Sequence, residues 1–171
     1  MQRSFASLSP PEVLQVAISI EQRNAEVYHR FAEMFTEFGD EESLEIASVF
    51  WEMAIEERGH RALLEERYAE AYGALTNLLT EQELSELVEV PRLDDANIFD
   101  SEDNASARQR ALGVAMQAEI RAQEFYEHLT AITPPGRLRD TFDNLARMED
   151  GHVTWLGSKM VDDSAKSETV H

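Results

Sequence analysis

The pattern of apolar and polar positions along the chain predicts four long helices. Ser9, Pro10 and Glu12 form a start signal, because serine caps a helix, proline suits its first turn and the glutamate completes a capping box. Glycine and proline turns then divide the sequence into helices with the approximate bounds 10–38, 41–72, 105–132 and 137–160. We therefore expect one domain over residues 1–160 and a disordered tail over residues 161–171.

The connections between these helices differ in length. The first pair and the last pair are joined by short turns, whereas roughly thirty residues separate the second helix from the third. This crossover is expected to carry a short helix opened by Thr80 and Glu83. Two antiparallel hairpins joined by one long crossover form the ferritin-like variant of the all-α four-helix bundle, which is the predicted fold.

The two halves of the sequence repeat each other. Residues 14–28 and 112–126 coincide at seven of fifteen positions, including Glu21 with Glu119 and Tyr28 with Tyr126. The segments FWEMAIEERGHRALL and FDNLARMEDGHVTWL coincide at six of fifteen, among them the glutamate, glycine and histidine of each central motif. The repeat predicts that both hairpins carry the same polar residues at the same helical phase.

Helical phase places one glutamate of each long helix on its buried apolar stripe. These four glutamates are Glu21, Glu57, Glu119 and Glu149. Residues three apart on a helix project in nearly the same direction, so His60 and His152 face inward beside the glutamates that precede them. The predicted core therefore contains four carboxylates and two imidazoles.

Four carboxylates in one core need neutralisation. Two like charges 4 Å apart repel by ~4 kcal/mol at an effective dielectric constant of 20, and desolvation adds a further cost. Two divalent cations would balance the four charges. Carboxylate oxygens with one imidazole per metal suit iron or manganese better than copper or calcium.

The composition excludes other classes of partner and site. The chain has 34 acidic and 15 basic residues and a net charge of −19, so it repels nucleic acid and anionic lipid and attracts small cations. It has no cysteine, which excludes disulfides and cysteine-ligated iron within this chain. The N-terminus lacks a secretory pattern and no apolar run has the length of a membrane span, so we expect a cytoplasmic location.

With these six residues the chain resembles the rubrerythrin and erythrin branch of the ferritin-like di-iron carboxylate proteins. One glutamate on each of two helices and Glu-x-x-His on the other two is the ligand pattern of that superfamily. The glutamate-to-tyrosine spacing of the first and third helices, together with EERGH and MEDGH, is most similar to this branch. The resemblance covers nearly the whole chain except both ends and the crossover.

The resemblance implies a role for each residue. Glu57 and Glu149 would bridge two iron ions, Glu21 and Glu119 would be terminal ligands, and His60 and His152 would each bind one metal. Tyr28 and Tyr126 lie two turns beyond the ligands of their helices, either as donors to a ligand or as core aromatics with satisfied hydroxyls. The candidate catalytic residues are therefore Glu57, Glu149, Tyr28 and Tyr126.

Two departures from the family pattern affect the expected activity. Ala122 stands where the family commonly has a further carboxylate, three residues after the third-helix glutamate. The cysteine-ligated iron domain that delivers electrons in that family is absent from this sequence. Turnover is therefore expected to depend on an external electron donor.

The other histidines and two glycines have plainer interpretations. Because His29 aligns with Glu127 in the repeat, His171 lies in the tail and His128 follows no suitably spaced glutamate, none is expected to bind metal. Gly59 and Gly151 recur inside the two central motifs, where glycine costs ~1 kcal/mol relative to alanine. Their recurrence predicts a close approach between helices.

The sequence thus favours a di-iron oxidoreductase that consumes peroxide or O2. Manganese is the alternative metal, and the resemblance makes a homodimer an ordinary state. Two alternatives stay open: a ferroxidase for iron binding and storage, which would need assembly into a shell or a partner compartment, and a metal-free structural bundle.

Overall fold

The computed structural model describes residues 4–88 and 103–168. Apart from short connections, both ranges are helical. A short 3₁₀ turn at Phe5–Ser7 precedes five α-helices, which are α1 (Pro10–Phe38), α2 (Glu41–Tyr72), α3 (Glu81–Leu87), α4 (Asn104–Ile132) and α5 (Arg137–Glu168). No strand occurs in these two ranges. Nor does any helix within them combine the length and apolar character that a membrane span requires.

Side-chain caps start the helices where the sequence predicts. The Glu12 carboxylate accepts a hydrogen bond from the backbone N–H of Ser9 at 2.8 Å, which closes the capping box of α1. Thr80 and Glu83 form the same arrangement at α3. α1 ends at Gly39, whose φ of 74° lies in the left-handed region that glycine adopts without strain. Local capping chemistry therefore fixes these boundaries.

The helices pair as two antiparallel hairpins, α1 with α2 and α4 with α5, and the hairpins pack together as a four-helix bundle. The short helix α3 lies against α1. The buried side chain of Gln15 holds the start of the crossover, because its Oε1 accepts from the backbone N–H groups of Leu78 and Leu79 at 2.8 and 3.0 Å. The predicted all-α, ferritin-like bundle is confirmed.

The core consists mainly of two apolar clusters at different heights in the bundle. One cluster surrounds Phe31, Phe35 and Phe50, and the other surrounds Leu64 and Phe142. On each long helix, the residues that join one cluster are separated along the chain from those that join the other. The predicted glutamates and histidines lie in that interval, so the fold places a polar layer between two apolar ones.

Helix α5 extends two turns past the expected end at Met160. Its extension is packed against the bundle, because Asp163 is only 4 % exposed and accepts a hydrogen bond from Arg108 Nε at 2.7 Å. Arg108 also donates to Asp40 at the start of α2, 3.2 Å away. The polar sequence after Met160 predicts a disordered tail, but residues 161–168 are helical. The pairing of Asp163 with Arg108 holds this segment against the bundle. Residues 169–171 lie outside the described ranges.

The prediction of a close helix approach at Gly59 and Gly151 is wrong. Both glycines are exposed, and a Cβ atom built on either one would have no neighbour within 4 Å. Neither position therefore needs glycine for packing.

Alanine at Gly59 or Gly151 is expected to raise the free energy of unfolding by about 0.5–1 kcal/mol each, because alanine has less conformational freedom in the unfolded chain. Urea denaturation of the metal-free protein would measure it. Gly39→Ala is the control of opposite sign, since φ at Gly39 is 74° and alanine would be strained there. Loss of stability at both Gly59 and Gly151 would contradict the expectation.

Candidate metal centre

Six polar side chains occupy the layer between the apolar clusters, and they are the six that the sequence predicts. Helices α1 and α4 each contribute one glutamate, while α2 and α5 each contribute a glutamate and a histidine. The four glutamates are fully buried and the histidines nearly so: Glu21 0 %, Glu57 0 %, Glu119 0 %, Glu149 0 %, His60 3 % and His152 6 % exposed. Charged groups are rarely buried without a partner, so this layer is a candidate functional site.

The six side chains form two overlapping groups, each with the composition of a metal site. One group contains Glu21, Glu57, His60 and Glu149, and the other contains Glu57, Glu119, Glu149 and His152. Within each group, one potential ligand atom from every residue lies within 4.8 Å of the others. Glu57 and Glu149 belong to both groups, so each of these two carboxylates could bridge a pair of ions.

Both histidines direct Nδ1 toward the carboxylates. His60 Nδ1 lies 3.2 Å from Glu21, and His152 Nδ1 lies 3.0 Å from Glu119. The two rings are stacked with their centroids 5.8 Å apart. Each Nδ1 also lies close to Glu149, 3.1 Å away for His60 and 3.2 Å away for His152. Both imidazoles therefore face Glu149 as well as the α1 or α4 glutamate of their own hairpin.

The two tyrosines of the repeat bond across the hairpins. Tyr28 on α1 donates its hydroxyl hydrogen bond to Glu119 on α4, and Tyr126 on α4 donates to Glu21 on α1. Burial raises the pKa of each hydroxyl well above 10, and the neighbouring carboxylate raises it further, so both stay protonated donors. Both tyrosines are also fully buried. The two interpretations left open by the sequence, core aromatic and ligand donor, thus apply together.

Without a metal ion, the layer holds protons at neutral pH. Burial raises the pKa of Glu57 well above its usual value, and the charges of neighbouring carboxylates raise it further. Burial likewise raises the pKa of Glu119, to about 8. For the histidines burial acts in the opposite direction, but carboxylate hydrogen bonds outweigh it and raise the pKa of His60 to about 10 and of His152 to about 11. A cation that enters must displace these protons.

Glu57 provides a direct test of whether a metal pair fits. Both of its carboxylate oxygens are buried and accept no hydrogen bond from the described part of the chain. Leaving a buried polar group unpaired costs about 1–3 kcal/mol, and more for a charged one. Two metal ions bound to the two oxygens would satisfy both, so the residues present fit a dinuclear centre.

Glu56 distinguishes the two halves of the site, although no sequence motif marks it as a site residue. Its half-exposed carboxylate lies 2.5 Å from Nε2 of His152. The corresponding Nε2 of His60 is buried and has no partner among the described residues. In the repeat, Glu56 aligns with Met148. This difference between the two motifs is the only sign in the sequence that the two halves of the site differ at this position. A carboxylate on the outer nitrogen orients a ligating histidine and increases its basicity, so two ions held in this layer would have inequivalent surroundings.

The histidines not expected to bind metal lie elsewhere. His29 is at the surface, where Nε2 lies 3.3 Å from Glu33 and the ring contacts Trp51 edge-on. His128 is exposed and its ring packs against Phe5. Neither joins a metal-binding group among the described residues, and His171 lies outside them.

Comparison with known proteins identifies the family. A model of the rubrerythrin family matches residues 12–108, more than half of the chain, and this range contains Glu21, Glu57 and His60. The second half of the candidate centre, on α4 and α5, lies beyond the match and is related to the first by the internal repeat. No curated protein and no solved structure gives a significant match. The helical bundle, its buried glutamate and histidine groups and the family match agree, and the chain belongs to the rubrerythrin family.

Proposed function

We propose that this protein is a di-iron oxidoreductase that reduces peroxide, with O2 as a slower oxidant. The observation that supports the proposal most strongly is the overlap of the two ligand groups at Glu57 and Glu149, since two ions with shared carboxylates neutralise the layer. Four carboxylates with two divalent cations have no net charge. The family match supports iron as the metal, with manganese as the alternative.

Each residue of the layer has a role in this proposal. Glu57 and Glu149 would hold both ions, Glu21 and Glu119 would each hold one, and His60 and His152 would each bind one ion. Tyr28 and Tyr126 hold the terminal carboxylates in position by hydrogen bonds from the opposite hairpin. The apolar clusters on both sides exclude bulk water, which strengthens the electrostatic interactions inside.

The bound ferrous pair would supply two electrons, one per ion, which with two protons convert hydrogen peroxide to two water molecules. The protein's part is to hold the carboxylates and histidines in place through the change of metal charge. Return to the reduced state needs an external electron donor, because the chain has no cysteine-ligated iron of its own. We further propose a cytoplasmic location and a homodimer.

A single-turnover experiment tests the function. Anaerobic protein loaded with two Fe(II) per chain would be mixed in a stopped-flow instrument with equimolar H2O2 or O2, and the ferric absorbance followed. Peroxide is expected to oxidise the centre faster, because a two-electron oxidant matches a pair of one-electron ions. Catalytic cycling is expected to stop unless an electron donor is added.

Two histidine variants provide the matched comparison. His152→Ala removes a ligand of the layer, so oxidation is expected to slow by about 100-fold, comparable to losing an essential catalytic group. His128→Ala changes an exposed histidine and is expected to react like the wild type. Faster oxidation by O2 with continued mineral growth on added Fe(II) would instead support the ferroxidase. A stable protein that binds no metal would support the structural bundle.

A further inference from the structure

A cavity of about 250 Å³ lies beside the candidate metal centre, between α1, α4 and the crossover helix α3. Its walls are mainly apolar and include Val16, Ile20, Leu87, Ala118 and Phe125, and Arg121 also lines it. A dry apolar cavity of about 150 Å³ is large enough to hold benzene. This cavity therefore has room for an aromatic ring with a branched substituent.

One polar group with an unmet hydrogen bond lines this cavity. Asn24 is 4 % exposed, and its Nδ2 has no hydrogen-bond partner in the part of the chain that the structure describes. A buried amide left unpaired costs about 1–3 kcal/mol, so a bound oxygen atom would relieve the cost. A hydroxyl or hydroperoxide group suits the amide in either orientation, because it both donates and accepts.

The cavity is adjacent to the layer of glutamates. Asn24 follows Glu21 by three residues on α1, and Ala122 follows Glu119 by three residues on α4. Side chains three apart on a helix are neighbours, with Cβ atoms about 5–6 Å apart. The repeat makes Asn24 and Ala122 equivalent positions, and both line the cavity. Asn24 supplies the amide, and the small side chain of Ala122 leaves room for a ligand.

We infer that this cavity binds a small apolar organic hydroperoxide, with its oxygens toward Asn24 and its hydrocarbon group against the apolar wall. The inference rests on the proposed function and names the class of peroxide that the site takes. In the proposed reaction the O–O bond of ROOH would break, and two electrons from the proposed ferrous pair with two protons from solvent would give ROH and water.

Binding is tested with cumyl alcohol, the redox-inert product of cumene hydroperoxide, by equilibrium dialysis against the metal-loaded full chain. One molecule per chain is expected. Ala122→Met should fill the cavity and Asn24→Leu should remove the amide at similar volume, each weakening binding by about tenfold or more. Ala131→Met is the matched control, because Ala131 is exposed on the same helix.

Kinetics connect binding with reaction. The ratio of single-turnover rates for cumene hydroperoxide over H2O2 is expected to fall by about tenfold in both cavity variants, in step with the lost binding. The metal content of every variant is measured to show whether the centre is intact. If one of the two cavity variants fails to fold, the other one still tests the inference.

Each outcome decides between the inferences. Absent binding, or equal binding in wild type and both variants, would overturn the cavity assignment. Binding with an unchanged rate ratio in both variants would overturn the hydroperoxide as its ligand. Cumyl alcohol binding in a protein that neither peroxide oxidises would support the cavity and contradict the proposed function.

Discussion

Replacing Glu57 by alanine is expected to remove both metal ions, lowering the metal content from about two ions per chain to nearly none. Glu57 belongs to both ligand groups, and both of its oxygens are buried and accept no hydrogen bond from the residues that the structure describes. Removing it takes one ligand from each ion and leaves the remaining carboxylates to repel each other. Glu149→Ala should have the same effect, because Glu149 is the other shared residue. Metal analysis after gel filtration would measure the content.

The terminal ligands and the surface histidines provide the comparisons. Glu21→Ala and Glu119→Ala each change one group only, so each is expected to weaken one ion more than the other. His29→Ala and His128→Ala should retain both ions, since neither histidine faces the layer. Retention of two ions in both Glu57→Ala and Glu149→Ala would disprove the bridging assignment. Loss of metal from either surface variant would mean that the helical phase is misassigned.

The affinity for the metal pair is expected to fall by at least about 100-fold for each pH unit from pH 8 to pH 6, a factor of ten for each histidine proton displaced, with a further decrease for the protons held by Glu57 and Glu119. The pKa is about 10 for His60 and about 11 for His152 in the metal-free protein. Both side chains are therefore in the doubly protonated imidazolium form throughout this range, and each must lose one proton before a ring nitrogen can bind metal. A falling pH favours the protonated, metal-free form, so the affinity for metal decreases as the solution becomes more acidic.

Anaerobic titration with Fe(II) in buffers of different ionisation enthalpy would measure both the affinity and the protons released. At least one proton per histidine is expected, with further release from Glu57, whose pKa burial also raises. His128→Ala should leave the slope unchanged because that residue is outside the layer. Binding that is independent of pH and releases no protons would contradict the ligand assignment.

The sequence predicts much of this fold because its decisive signals are local. The capping residues Ser9 and Thr80 act on helix starts a few residues away, and Gly39 acts at the end of α1. The buried polar residues could be predicted because the same phase recurs in both halves of the chain. A coincidence repeated on four helices indicates a shared layer even though no single Glu-x-x-His motif does.

The features that sequence missed depend on contacts between distant segments. The end of α5 depends on Asp163 meeting Arg108, which lies 55 residues away along the chain. The contact between Glu56 and His152 joins α2 to α5, and the cavity at Asn24 needs three separate elements to enclose it. The interpretation of Gly59 failed for a different reason, since a recurring glycine need not mark a packing constraint.

Because the six residues of the layer come from both hairpins, a bound metal pair would affect how the protein unfolds. Each hairpin packs mainly within itself, whereas the two glutamates shared by both ligand groups lie on different hairpins, Glu57 on one and Glu149 on the other. A bound metal pair would thus act as a cross-link in a chain that has no cysteine to form one. With the cross-link present, the four helices form one cooperative unit. Without it, the hairpins become separate units of local opening, and amide hydrogen exchange along their shared boundary would accelerate first.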